Sequence, residues 1–218
     1  EPKFIPKEAA QISLEDGIDV KVRLIDCVGF MVEGAAGHIE NDRERLVRTP
    51  WFEEEIPFTQ AAELGTRKVI ADHSTIGLVV TTDGSIGEIK RSHYLPAEEK
   101  TAKEPKNLGK PFLILLNSTR PYSEETKGLA AQMEEKYGVQ VVPVNCEQLK
   151  TEDIRGILER ILKEFPVTEI DFTIPKWLEI LPRDHWLKAA VIEAVREMMK
   201  KTVHMRDVAP ALPPENGE

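Results

Sequence analysis

The chain has 218 residues, 41% of them hydrophobic and 31% charged, which suits one large soluble domain with a smaller extension. Its formal net charge of −9 argues against a broad footprint on a nucleic-acid backbone or on anionic lipid, so no nucleic-acid partner is expected. The longest apolar runs fall short of the roughly eighteen residues of a membrane helix, so no transmembrane segment is expected either.

The chain opens on Glu1, Pro2 and Lys3 rather than methionine, as expected of a processed or excised segment. Residues 12–29 read as a hairpin. Its turn is centred on Asp16 and Gly17, and its second strand alternates from Val20 before becoming apolar and ending at Asp26-Cys-Val-Gly29. Cys27 and Cys146 lie in apolar runs without metal-ligand spacing and read as buried thiols. Residues 30–60, with Gly34, Gly37, Pro50 and Pro57, read as a long irregular loop, functional or mobile, in which Trp51 and Phe52 beside Glu53 to Glu55 are either a core anchor or a docking feature.

A short helix is predicted over 58–72, then an apolar strand from Ser74 to Thr82 that ends in a turn at Asp83-Gly84. A polar segment with helical character runs to about residue 108, and Lys110 to Asn117 forms a central strand with its proline at the start. Leu129, Met133 and Tyr137 recur at helical spacing within 123–137, Val139 to Asn145 is the next strand, and a helix begins at Thr151 with Ile154, Ile157, Leu158, Ile161 and Leu162 on one stripe. Strands alternating with amphipathic helices predict an α/β three-layer sandwich, its sheet mostly parallel with the early hairpin as one antiparallel edge.

The pattern changes after Phe165-Pro166. Residues 168–174 alternate like a half-exposed strand, and Lys176 to Arg206 is largely helical with a break near Pro182. The expected organisation is an α/β domain over 1–165, the start of a second α+β domain or helical appendage over 166–207, and a disordered tail over 208–218.

The sharpest chemical signal is Arg23-Leu-Ile-Asp-Cys-Val-Gly29. A strand ending in Asp26, with Gly29 three residues on, matches a Walker-B arrangement: the carboxylate holds Mg²⁺ or its water shell, and the glycine brings a backbone N–H near a terminal phosphate. Asn117-Ser118-Thr119-Arg120 follows a later strand, where GTPases place an NKxD base-reading sequence. Ser118 replaces the lysine and Arg120 the aspartate, and arginine cannot accept the hydrogen bonds that guanine donates. No G-x-x-x-x-G-K-[ST] cradle occurs in the chain, and the histidines at 38, 73, 93, 185 and 204 lack zinc-ligand spacing.

Read together, Leu24-Ile-Asp-Cys-Val-Gly-Phe30, Thr49-Pro-Trp-Phe-Glu53, Glu63-Leu-Gly-Thr-Arg-Lys-Val-Ile70, His73-Ser-Thr-Ile-Gly-Leu-Val-Val-Thr-Thr-Asp-Gly84 and Asn117-Ser-Thr-Arg-Pro121 closely resemble the stage IV sporulation protein A family. The resemblance runs from residue 1 to about 207. It implies a P-loop-type fold related to the translation-factor GTPases but using ATP and Mg²⁺, with the phosphate loop and the threonines that sense the terminal phosphate upstream of Glu1.

It implies Asp26 as the metal-side aspartate, with Gly29, Asn117 and Ser118 on the nucleotide, and hydrolysis by the whole family protein rather than by this chain alone. It further implies polymerisation into the basement layer of the spore coat, on the outer forespore membrane facing the mother-cell cytoplasm. The implied partners are a small amphipathic membrane-surface protein and other coat proteins. The residues themselves leave open a guanine-nucleotide switch and a non-catalytic scaffold.

Overall fold

The computed structural model describes residues 6–14, 19–40 and 43–208. The predicted turn at Asp16-Gly17 and all of the predicted tail but Val208 lie outside them. The chain divides into two compact units, the first ending at Ile161 and the second starting at Leu162.

In the first unit, β1 (Ala10–Ser13) and β2 (Asp19–Val22) form an antiparallel hairpin. Two smaller ladders follow, β3 (Ile39–Glu40) with β4 (Arg43–Glu44) and β5 (Leu46–Val47) with β6 (Ile56–Pro57). Then come α1 (Phe58–Lys68), β7 (Gly77–Thr82), α2 (Arg91–Asn107), β8 (Phe112–Asn117), α3 (Glu124–Tyr137), β9 (Val141–Val144) and α4 (Thr151–Lys163). Strands β7, β8 and β9 pair in that order, in parallel, with Leu78 opposite Leu113 and Ile114 opposite Val141. This is the mixed α/β architecture expected, with crossover helices between parallel strands.

Strand β8 organises the unit. Phe112, Ile114 and Leu116 face one layer, where Ala102 of α2 and Ala130, Met133 and Tyr137 of α3 complete the core. Leu113 and Leu115 face the other, against Ile157 and Ile161 of α4 and Val144 of β9. Alternate residues point to opposite faces, and both faces are buried, so the strand reads as an unbroken apolar run. Helix α3 is bounded as its sequence dictates: Ser123 Oγ accepts the Thr126 N–H at 3.2 Å, and Gly138 ends the helix at φ +72° with its N–H on Glu134 O at 2.8 Å. Helix α1 runs on into one π-type turn over Val69–His73. Lys110 Nζ donates to Ile70 O, Ala71 O and Ser74 O at 2.6–2.7 Å, satisfying carbonyls that the helix end leaves open.

Several expectations are corrected. The β1–β2 hairpin is its own sheet and gives the parallel sheet no antiparallel edge. Residues 23–29 form no strand, and Leu24 is 71% and Val28 67% exposed; without a partner strand the apolar run stays irregular. Cys27 is exposed rather than buried. Residues 30–60 are not structureless but carry the two short ladders, while Trp51 lies against α1, 3.7 Å from where a Gly65 Cβ would stand. Residues 168–174 form no strand.

The second unit holds α5 (Lys176–Ile180) and α6 (Trp186–Lys201). Leu187, Val191, Val195 and Met198 make a half-buried stripe on α6, whereas Trp186 and Ile180 are exposed. The segment after α4 is tied to that after α6 by the Val167 N–H on Val203 O and the Met205 N–H on Phe165 O, each at 2.9 Å. Arg206 Nη1 donates to both oxygens of the buried Glu164 carboxylate, at 2.5 and 2.6 Å.

A buried polar network locks β7, α2 and α3 together. The Glu98 carboxylate accepts from Arg91, from Thr81 Oγ1 at 2.6 Å and from Tyr137 Oη at 2.7 Å. Burial works to raise the Glu98 carboxyl, and the hydrogen bonds and charge of Arg91, with Thr81 and Tyr137, outweigh it and hold the group below its ordinary value. Burial, then the bond to Glu98, pushes the Tyr137 phenol up to about 12. Because the folded carboxyl titrates below its ordinary 4.5, its contribution is complete above that pH and is lost as pH falls through the lower folded value. Tyr137→Phe, which removes a bond to an ionised carboxylate, should cost about 1.5–3 kcal/mol in urea unfolding at neutral pH. Glu98→Ala, which strands Arg91, should cost about 3–5 kcal/mol, and its penalty relative to wild type should shrink below pH 4.5.

Candidate functional site

In parallel α/β sheets, ligands gather outside the carboxyl ends of the strands. Here the segments after β7, β8 and β9 meet at that edge and are cross-linked. Asn117, the last residue of β8, accepts the Cys146 N–H on its side-chain Oδ1 at 3.0 Å, joining the loop after β8 to the loop after β9. The Ser118 N–H donates to Val144 O at 2.8 Å. Ser118 is fully buried, and its Oγ accepts the Arg120 N–H at 2.9 Å and lies 3.4 Å from Thr126 Oγ1. Asn117 and Ser118 thus shape the loop that presents Thr119 and Arg120, both exposed. Burial raises the Cys146 thiol, so it remains protonated and inert at neutral pH.

The loop after β7 joins the same set. The Asp83 N–H donates to Asn117 O at 3.2 Å, and the Asp83 carboxylate accepts from the N–H and Oγ of Ser85. Burial works to raise Asp83, and hydrogen bonds from Ser118, Ser85 and Thr126 outweigh it, leaving the carboxyl below its ordinary value and ionised at neutral pH. A groove of about 720 Å³ opens beside these loops, lined by Arg120, Tyr122, Asn145, Lys150 and Arg160 among others, within the usual size of a small-molecule cleft.

Asp26 and Gly29 stand on the irregular segment that follows β2. Asp26 is exposed. Gly29, at φ +82°, is held by the buried Thr66 of α1, whose Oγ1 accepts the Gly29 N–H at 3.0 Å and donates to Gly29 O at 3.2 Å. The N–H expected to approach a phosphate is therefore bonded to Thr66. The next residue, Phe30, is buried with Arg67 and Lys100 over its ring. Neither Thr66 nor Asp83-Gly84-Ser85 stood out as more than helix and turn in the sequence, although a polar turn at the carboxyl end of a parallel strand is itself a pointer to a site.

Mg²⁺ needs only one or two carboxylates beside phosphate and water oxygens, so an exposed aspartate is of the right type. Among the described residues no group of three or more His, Cys, Asp or Glu side chains could hold a metal ion by itself. With no phosphate-cradling sequence in the chain, the residues present fit at most the metal and base sides of a nucleotide site.

Residues 1–166 match the family model described as stage IV sporulation protein A, ATPase domain, and residues 167–216 match that of its middle domain. The chain belongs to the stage IV sporulation protein A family. It is 46% identical over 208 residues to stage IV sporulation protein A of Bacillus subtilis (strain 168), 48% to that of Clostridioides difficile (strain 630) and 45% to that of Bacillus anthracis. Each alignment covers 95% of this chain and 42% of the relative, so the chain spans less than half the length of the curated stage IV sporulation protein A sequences it matches. No solved structure matches it. Among the described residues no helix is long and apolar enough to cross a membrane.

The Asn117 bridge gives a direct check. Asn117→Ala leaves the part-buried Cys146 N–H without its acceptor and should lower stability by about 1–3 kcal/mol in thermal unfolding, whereas Asn117→Asp, which keeps an oxygen there, should lose less.

Proposed function

We propose that the full-length protein binds and hydrolyses ATP with Mg²⁺. Hydrolysis drives its polymerisation into the basement layer of the spore coat, on the forespore surface facing the mother-cell cytoplasm. The observation that carries the nucleotide reading is the Asn117–Cys146 bridge, which gathers the loops after two parallel strands into one base-side edge beside the groove. The match to a family ATPase domain supports the same reading.

In this proposal the fold is akin to that of the translation-factor GTPases. Among the described residues β7 pairs only with β8, and the proposal gives its other edge to the strand that bears the phosphate loop. Asp26 holds the metal or its water shell. Arg120, which cannot accept the hydrogen bonds that guanine donates, argues against guanine specificity. Recruitment to the membrane through a small amphipathic surface protein, and later coat proteins building on the layer, complete the proposal.

One observation favours a second reading, a scaffold that keeps the fold without the reaction: the Gly29 N–H already has a partner in Thr66. Phosphate release from Mg-ATP by the full-length protein separates the two. Asp26→Ala should lower turnover by about 10–100-fold with folding intact, and excess GTP should leave the wild-type rate largely unchanged. No turnover in the wild type, with polymer allowed to form, would favour the scaffold, and inhibition by equimolar GTP would favour a guanine switch.

A further inference from the structure

The turn after β7 is hydrogen-bonded to the loop after β8 in a directional way. Ser85 Oγ donates to Asp83 Oδ1 at 2.6 Å and accepts the Thr119 N–H at 2.9 Å. An ionised carboxylate only accepts, so the Ser85 hydroxyl proton is committed to Asp83 and a lone pair is left for Thr119. The Ser85 N–H donates to the same carboxylate oxygen at 2.8 Å and fixes the turn. The other oxygen lies 3.5 Å from Thr126 Oγ1, which shares its proton between that carboxylate and Arg120 O at 3.1 Å. Gly84 makes the turn possible: its φ is +91°, and a Cβ there would stand 3.0 Å from the Arg91 backbone nitrogen.

Two successive amides of the loop after β8 are thereby held by hydroxyls. Arg120 N–H is held by Ser118, from the same loop, and Thr119 N–H by Ser85, from the neighbouring one. The second bond crosses between two strand ends and has no counterpart in the local turn geometry. It fixes the Thr119 backbone next to the exposed Arg120, and both residues line the groove. Small displacements of groups that contact a ligand are costly in affinity, so fixing this backbone acts on binding without touching the ligand.

We propose that Ser85, oriented by Asp83, is a positioning residue for the purine base of a bound nucleotide, acting through the Thr119 amide on the Asn117–Arg120 loop. The inference rests on the nucleotide reading given above. It assigns no contact between Ser85 and the nucleotide. The lowered Asp83 carboxyl is consistent with the acceptor role the geometry gives it.

The test uses the full-length protein as wild type, Ser85→Ala and Ser85→Thr, with folding checked by circular dichroism and melting temperature. Hydrogen exchange at the Thr119 amide, measured without nucleotide, should quicken about fivefold or more in Ser85→Ala and return toward wild type in Ser85→Thr, which keeps the hydroxyl. The KM for ATP should rise by about the same factor, with kcat within about twofold and ATP preferred less over GTP. Unchanged Thr119 exchange in folded Ser85→Ala overturns the inference. So does faster exchange with unchanged KM and base preference in an enzyme that turns over ATP, because the bond is then a structural brace only. A wild type that neither binds nor hydrolyses Mg-ATP overturns the nucleotide reading and this inference together, a result distinct from any confined to the variants.

Discussion

The first unit depends on β8 being buried on both faces. Leu113, Ile114 and Leu116 have no exposed surface, and each such side chain contributes about 1.5–3 kcal/mol only if another layer covers it. Helices α2 and α3 must therefore lie on one side and α4 on the other, and the crossovers that place them there make the sheet parallel. A parallel sheet brings its carboxyl ends to one edge. The cluster formed by Asp83, Ser85, Asn117, Ser118 and Cys146 is thus a consequence of how β8 is covered.

Polar groups drawn into such a unit have to be satisfied where they stand. Ser118 is buried beside the site and spends its hydroxyl on the Arg120 amide; Asn117 spends its side-chain oxygen on Cys146. Where α2 meets β7 and α3, Glu98 is surrounded by Arg91, Thr81 and Tyr137. Thr81 and Asp83 are two residues apart on the strand that feeds the site. The network that anchors β7 to its helices and the turn that reaches across to the loop after β8 therefore share one rigid stem. Loops held this way are more exact platforms than loops held by their tips alone.

Much of this could be read from residue order. The apolar run 112–117, the Ser123 and Gly138 caps of α3 and the stripe on α4 each carry local information that the tertiary structure only confirms. Arg23 to Gly29 could not be read that way. Apolarity tells what a segment would gain by burial, not whether a neighbouring strand is there to accept its backbone, and Leu24 and Val28 stay exposed. The alternation of residues 168–174 failed for the same reason. At the site, Asn117 and Ser118 were legible as strand-end residues. The Cys146 partner of Asn117 was not, because pairing between loops depends on strand order and register, which spacing in sequence does not encode.

Gly29 shows how an internal bond bears on the proposed chemistry. Its N–H and C=O are both taken by one hydroxyl, that of Thr66, and Thr66 is buried. A neutral hydrogen bond of this kind is worth about 1 kcal/mol net, while one to an anionic oxygen is roughly twice as strong. An amide in this position would exchange partners at modest gain, and the exchange would leave the buried Thr66 Oγ1 without the donor it accepts from. The bond to Thr66 is therefore a competitor for the glycine amide rather than a bar to its use. Because Phe30 is packed beneath Arg67 and Lys100, a shift at Gly29 would be felt first along α1 and α2.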